Sequence, residues 1–286
     1  MSRLPSAAVQ GLLLGTIACA APAARDAVVH GGRTPSGIAY DIAGDGPPIV
    51  FVHGAMLDRR QWAPQVELAG QFTVIRYDSR WHGESAGADT SFLASDDLLE
   101  VLDGVGVARA SLVGLSNGAR IAVDFALAHP DRVDRLVLAS PGLGGYQSVE
   151  RPEFWTPIMA ALGAGDFAAA AAALADSPVM AVGAADSGWV AAMVRDQAGV
   201  FSQDPSREVQ PEPPAIRRLA EIGIPTLVIT GDADLRDILL TGDTLAAGIP
   251  GARRLVISGA RHLLNITHAK EFNRIVSEFL AAGVPR

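Results

Sequence analysis

The stretch of this chain with most chemical potential is Gly114-Leu115-Ser116-Asn117-Gly118, a serine with a glycine two residues away on each side. An apolar, β-type run, Ala110 to Leu115, leads into it. A small, apolar helical pattern, Asn117 to His129, follows and is ended by Pro130. A serine on a sharp strand-to-helix turn is lifted clear of the sheet at the positive end of the next helix, and the turn requires small neighbours. A hydroxyl is a weak nucleophile until a base takes its proton, so a histidine partner is needed. The chain has 6 histidines. His262, in Gly259-Ala260-Arg261-His262, follows the last β-type run, on the rim where open α/β sheets place their sites. His268 opens the final helix and reads as solvated, His129 as a helix-end cap, and His53, before Gly54, as a residue that pins its loop.

The base in turn needs a carboxylate to hold its tautomer and balance its charge. Asp234, in Gly231-Asp232-Ala233-Asp234, directly follows the run Thr226 to Thr230. The preceding run ends in Ser140-Pro141-Gly142 and has no acid before Glu150, which removes the other common acid position. Asp232 and Asp237 remain rivals, with Asp232 read as a brace for its loop. Backbone N–H donors must meet the charge that develops on an attacked carbonyl. Asn117 and Ala55, the latter in His53-Gly54-Ala55-Met56, are the candidates. The implied chemistry is two-step acyl transfer: attack by Ser116, proton transfer by His262 held by Asp234, then release by water. No closely spaced His, Cys or Asp set has ligand spacing, so neither a metal nor an organic cofactor is implied.

The elements that must carry these residues alternate between strand and helix. Val28 to His30 and Gly37 to Ala43 read as an opening hairpin. Pro48 to His53, Phe72 to Asp78, Ala110 to Leu115, Arg135 to Ser140, Thr226 to Thr230 and Arg254 to Ser258 read as strands covered on both faces. Ser91 to Asp103, Asn117 to His129 and His268 to Ala282 read as helices. The fold class is α/β: a mostly parallel twisted sheet with helices on both faces, built from residues 28–142 and 215–286. Residues 143–214 break the alternation and read as a helical cap insertion. Its Phe154, Trp155, Met159, Phe167, Met180, Trp189, Met193 and Phe201 either roof a pocket or form the insertion's own core. Met56, Trp81, Trp155 and Trp189 are the candidates for substrate contact.

The chain resembles the α/β-hydrolase superfamily over about residues 28–282, in the style of capped bacterial esterases, enol-lactonases and cofactor-free haloperoxidase-like hydrolases. The matching residues are His53-Gly54, Tyr77-Asp78-Ser79-Arg80 with His82-Gly83-Glu84-Ser85, the 114–118 turn, Gly231 to Asp234, and Gly259 to His262. The resemblance implies a serine hydrolase with a Ser-Asp-His triad, acting on an ester or a similar small to medium, mostly apolar acyl compound. Lactonase, C–C bond hydrolase and perhydrolase activities share that triad and stay open. A catalytically silent binding module is the reading from another class. Two departures stand out. Trp81 replaces the first glycine of the family's R-G-H-G stretch, so a position needing φ > 0 would reshape the loop. Asn117 stands where a larger residue is common.

Composition bounds the partners. The chain is 49% hydrophobic and 19% charged, enough for a sizeable core, and its net charge of -8 with no Lys/Arg run excludes nucleic acid and anionic membranes as partners. Small-molecule substrate and water remain. Residues 1–23 read as an export signal, with Arg3, an apolar run from Ala7 to Ala20, and small-residue cleavage sites. The expected location is therefore periplasmic or secreted. Cys19, the only cysteine, forms no intramolecular disulfide. It sits where a lipobox would place a lipidated residue, although Thr16 lacks the usual leucine, and a membrane anchor follows only from that modification.

Overall fold

The computed structural model describes residues 30–282, so the 1–23 segment, Cys19, Val28 and Val29 lie outside the described residues. Eight strands form one sheet in the order β1-β2-β4-β3-β5-β6-β7-β8. They are β1 His30–Arg33, β2 Ala39–Ala43, β3 Pro48–Val52, β4 Thr73–Tyr77, β5 Ala110–Leu115, β6 Val133–Ala139, β7 Thr226–Gly231 and β8 Arg253–Ile257. β1 pairs antiparallel with β2 and β2 with β4; every other pairing is parallel.

Continuous apolar runs are what a sheet covered on both faces requires, because successive side chains point to opposite faces. Along β3, Val50 and Val52 enter one core, while Ile49 and Phe51 enter the other. All four are buried, each contributing about 1.5–3 kcal/mol by leaving water. The first core is closed by α1 (Ala94–Gly104), α2 (Asn117–Ala128) and α6 (Arg236–Gly248) through Leu98, Phe125 and Leu245. The second is closed by a 3₁₀ run (Arg59–Gly70) through Trp62 and by the last helix, α8 (Ala269–Ala281), through Phe272 and Val276. α7 (Leu264–Thr267) is the short turn that precedes it.

Between β6 and β7 the chain leaves the sheet for a helical insertion containing α3 (Trp155–Gly163), α4 (Phe167–Ala175) and α5 (Ala184–Asp196). Its buried side chains, Ile158, Leu174, Val190 and Met193 among them, join the second core. Several polar contacts bind the insertion to the sheet side. The Gln197 side chain donates to Asp58 at 2.8 Å and accepts from the Gly83 N–H at 2.9 Å. Arg120 of α2 pairs with Glu208. Asp237 of α6 accepts from the Tyr146 hydroxyl at 3.2 Å and the Val149 and Glu150 N–H groups at 3.0 and 3.3 Å, and also from the Ser148 hydroxyl.

Two expectations shift, and two elements are new. The helix expected from Ser91 begins at Ala94, because Phe92 instead pairs with the insertion's last segment, its N–H donating to Arg207 O at 2.9 Å. The final strand is the sheet edge, not a strand covered on both faces, and leaves Val256 47% exposed. The 3₁₀ run and α6 carry no expectation from the sequence. One contains Pro64 and many polar residues, and the other is interrupted by Gly242.

Candidate active site

Ser116 closes β5 and caps α2 with φ 55° and ψ -116°, a strained conformation for a residue with a side chain. The flanking glycines are there for space. A Cβ on Gly114 would lie 2.3 Å from Gly118 O, and one on Gly118 would lie 2.0 Å from Val52 O. The turn can therefore close only if both positions lack a side chain, which brings the start of α2 against the end of β3.

β7 and β8 deliver the other two residues. A Cβ on Gly231 would sit 2.0 Å from Ala260 O, so the loops after these strands also touch through their backbones. That contact places Asp234 beside His262: Nδ1 of the imidazole lies 3.1 Å from both carboxylate oxygens. Both side chains are nearly buried, at 7% exposure for His262 and 1% for Asp234, so the pair is little screened. Asp234 Oδ1 also accepts the Leu235 N–H at 2.7 Å, which fixes the carboxylate. With Nδ1–H directed at the acid, Nε2 is the nitrogen free to face a substrate or a hydroxyl.

Ser116 and His262 line one cavity of about 280 Å³ together with Gly54, Ala55, Met56 and Leu57 from the loop after β3. Its remaining wall is apolar: Leu115, Leu235 and Ile238 from the sheet side, and Trp155, Leu174, Val179 and Met180 from the insertion. His262 is the only ionisable side chain in that lining. Ala55 lines the cavity with Ser116, Asn117 follows Ser116 in the chain, and neither amide donates to an acceptor among the described residues. An amide at the first position of a helix has no intrahelical partner, so the free Asn117 N–H is expected.

The rival acids are occupied elsewhere. Asp232 accepts from the Gly259 N–H at 2.6 Å and from the Ser258 hydroxyl at 3.2 Å, bracing the loop that carries His262. Asp237 faces the insertion. His53 Nε2 accepts from the Ser79 N–H at 2.9 Å, tying the end of β3 to the loop after β4. His129 packs its ring 5.0 Å from Phe125, and His268 contacts the Thr267 hydroxyl at 2.9 Å.

Of the four candidates for substrate contact, Met56 and Trp155 line the cavity and Trp81 and Trp189 do not. Trp81 adopts φ 67°, so the loop keeps the left-handed position without its glycine. That backbone turns the indole onto Phe92, edge to face with ring centres 5.0 Å apart, beside a separate cavity of about 30 Å³. Trp189 donates its indole N–H to Asp186 at 3.0 Å within α5. Phe154, Met193 and Phe201 likewise pack into the core. Leu235 and Ile238 were not singled out from the sequence. Leu235 is the N-cap of α6 and Ile238 lies in its first turn, a helix for which the sequence carries no expectation. Among the described residues no group of three or more His, Cys, Asp and Glu side chains is arranged to hold a metal. No helix among the described residues is long and apolar enough to cross a membrane.

The chain belongs to the alpha/beta hydrolase family, whose sequence pattern matches residues 49–275. It is 31% identical over 264 residues to the 2-hydroxy-6-oxononadienedioate/2-hydroxy-6-oxononatrienedioate hydrolase of Paraburkholderia xenovorans, covering 85% of this chain and 90% of that protein. The solved enol-lactonase of Burkholderia xenovorans superimposes with a TM-score of 0.70 at 30% identity, covering 88% of this chain and 99% of that one. An uncharacterized protein of Mycobacterium tuberculosis is 40% identical over 130 residues, and this match spans 43% of the chain and 36% of that relative's length.

Proposed function

We propose that this hydrolase is a serine esterase that acts on uncharged, mostly apolar acyl compounds through an acyl-enzyme. The observation that carries the reading is one cavity shared by Ser116 and His262, with His262 Nδ1 3.1 Å from Asp234. Ser116 Oγ attacks the acyl carbonyl while His262 Nε2 takes its proton, and Asp234 stabilises the imidazolium. The Ala55 and Asn117 N–H groups receive the oxyanion of the tetrahedral intermediate. As that intermediate collapses, His262 protonates the departing alcohol and the acyl group stays on Ser116. Water, giving its proton to His262, then adds to the acyl carbonyl. The second collapse frees the acid and returns the proton to Ser116.

The apolar wall with no cation favours an acyl group without a carboxylate of its own. The insertion acts in this reading as a cap, with Trp155 and Met180 as its roof. Lactone opening is the second reading, supported by the likeness to the enol-lactonase and needing no change in the residues. Cleavage of a C–C bond in a dioate, as in the Paraburkholderia relative's name, fits less well, because no arginine or lysine lines the cavity to receive a carboxylate. The test is an ester and lactone panel on wild type and Ser116→Ala, with fluorophosphonate labelling in parallel. Turnover should fall by roughly 10⁴-fold or more in the variant, with labelling abolished and the fold intact. Near-normal turnover by a folded Ser116→Ala would overturn the assignment.

A further inference from the structure

Two buried histidines, His53 and His82, lie outside the triad, yet both contact the loop that carries the Ala55 amide. His82 is buried and lies with its ring centre 5.1 Å from that of His53. We propose that His53 and His82 are positioning residues that aim the Ala55 N–H at the oxyanion by fixing the peptide planes on either side of it. The inference rests on the assignment of Ala55 as an oxyanion donor under the proposed function.

A trans peptide is planar, and its N–H points opposite to its C=O. Whatever holds the Gly54 carbonyl therefore aims the Ala55 N–H. His53 accepts from the Ser79 N–H at Nε2, so its proton is on Nδ1, which donates to Gly54 O at 2.8 Å. The Leu57 N–H donates to the same carbonyl at 3.3 Å. The next plane carries the Met56 N–H, which donates to His82 Nε2 at 3.3 Å. His82 Nε2 must then be unprotonated, and its Nδ1–H donates to Arg80 O at 2.8 Å. Gly54 N–H is fixed as well, donating to Gln61 Oε1 at 2.8 Å. The Ala55 N–H is the free donor in a run where the Gly54, Met56 and Leu57 N–H groups and the Gly54 carbonyl are all held.

Met56 adds a reason for the clamp. It takes φ 58°, which a side-chain-bearing residue adopts only when its surroundings enforce it. The bond to His82 is the contact in position to enforce it. Burial lowers the affinity of both imidazoles for a proton, that of His82 to a pKa of about 4, so both stay neutral and keep an acceptor at Nε2 near neutral pH. Both rings are anchored to Ser79 and Arg80, so the loop after β4 becomes the reference for the oxyanion donor.

The test uses His82→Leu, which removes the acceptor, and His82→Gln, whose side-chain oxygen can occupy about the place of Nε2. Each is assayed for kcat, KM and inhibition by a trifluoromethyl ketone that forms a tetrahedral adduct on the serine. Folding is checked by circular dichroism and Tm. His82→Leu should lose about 10- to 100-fold in kcat, less than the 10²–10³ of deleting a donor, with KM little changed. Ketone affinity should fall in parallel with kcat/KM, while the affinity for the product acid stays the same. His82→Gln should recover most of both. Equal losses of ketone and product-acid affinity, or wild-type kcat in folded His82→Leu, would overturn the inference. If His82→Leu does not fold, His82→Gln and His82→Asn carry the comparison. Retained activity in both would support the clamp only if each keeps wild-type ketone affinity, and lost ketone affinity with unchanged kcat would overturn it. Ser116→Ala separates the two levels: if it stays active the esterase reading fails, whereas an inactive Ser116→Ala beside an unaffected His82→Leu sinks the clamp alone.

Discussion

Gly118→Ala should damage this enzyme in both stability and turnover, and the size of the effect follows from one contact. The new Cβ would lie 2.0 Å from Val52 O, 2.6 Å from Val52 C and 2.7 Å from His53 O. All three are backbone atoms at the end of β3, which is paired on both sides within the sheet, so no flexible side chain can move away. The start of α2 must retreat from β3 by roughly 1 Å or more to restore an ordinary contact. Overpacking of this kind costs typically about 1–3 kcal/mol, and more when backbone must move. Alanine's better helix propensity returns at most about 1 kcal/mol. With only backbone able to yield, the upper end applies, and a net loss of about 2 kcal/mol corresponds to a Tm lower by roughly 4–8 °C for a domain of this size. The same retreat shifts Ser116 and Asn117 away from Ala55, and a misplacement of about 1 Å can cost 10²-fold in rate. Gly188→Ala is the matched control. Gly188 lies within α5, and a Cβ there would meet nothing within 4 Å. It should gain up to about 1 kcal/mol, raising Tm by roughly 2–4 °C with turnover unchanged. Thermal melts and ester turnover on both variants make the comparison. Wild-type Tm and turnover in Gly118→Ala would refute the claim that the close approach of α2 to β3 builds the site.

Two further outcomes separate neighbouring residues with different tasks. Asp234→Ala should lower kcat by about 10⁴-fold, because the imidazole loses its orienting acid, whereas Asp237→Ala should leave kcat within a few-fold and raise KM as residues 148–150 come free of α6; steady-state kinetics on one ester decides, and a reversed pattern would move the acid to Asp237. The pH dependence of stability gives the second. Burial holds His82 at a pKa of about 4 against its ordinary 6.5, so the unfolded chain binds a proton that the folded one resists. The stability this contributes is full above about pH 6.5 and is lost as pH falls toward 4, amounting to roughly 3 kcal/mol over that window. Asp97 and Asp124, both pushed up to about 6 by burial, act in the opposite sense as pH falls. Urea unfolding of wild type and His82→Gln at several pH values isolates the histidine. Parallel stability curves for the two would contradict the burial effect.

What the sequence made legible was the part built from strong, short-range rules. The sheet runs from Pro48 to Ile257 stand within a residue or two of their expected places, because a strand covered on both faces leaves an unmistakable apolar run. The 114–118 glycines likewise announce a contact that only glycine permits. What stayed hidden depended on tertiary partners. Ser91 to Leu93 carry a helical pattern, but Phe92 is taken by the strand-like segment that ends the insertion. Arg254 to Ser258 reads as buried, yet its sheet neighbour on one side is missing, and no local pattern distinguishes an edge. The glycine that Trp81 replaces points to a positive φ at that position, but the turn of the indole onto Phe92 depends on a tertiary partner that the local sequence does not name. Similarly, the insertion's large apolar residues look alike in sequence, but Trp155 and Met180 reach the cavity and Met193 does not.

The position of the insertion has a consequence for how such a protein can diversify. β6 and β7 pair directly in parallel register from Leu136 to Ala139, so the sheet is complete without the helices threaded between them. The proposed nucleophile, acid and base, Ser116, Asp234 and His262, all follow other strand ends, β5, β7 and β8. Selection can therefore rewrite the helices of the insertion, changing which molecules fit above Ser116, while the reacting groups keep their framework. The same seam is a natural crossover point for recombination: exchanging the segment between β6 and β7 among relatives would replace the wall built by Trp155, Leu174, Val179 and Met180 while leaving the wall from the loop after β3 and from Leu235 and Ile238. In such a chimera the clasp at Asp237 would be the first junction to inspect, because it fits one particular incoming segment.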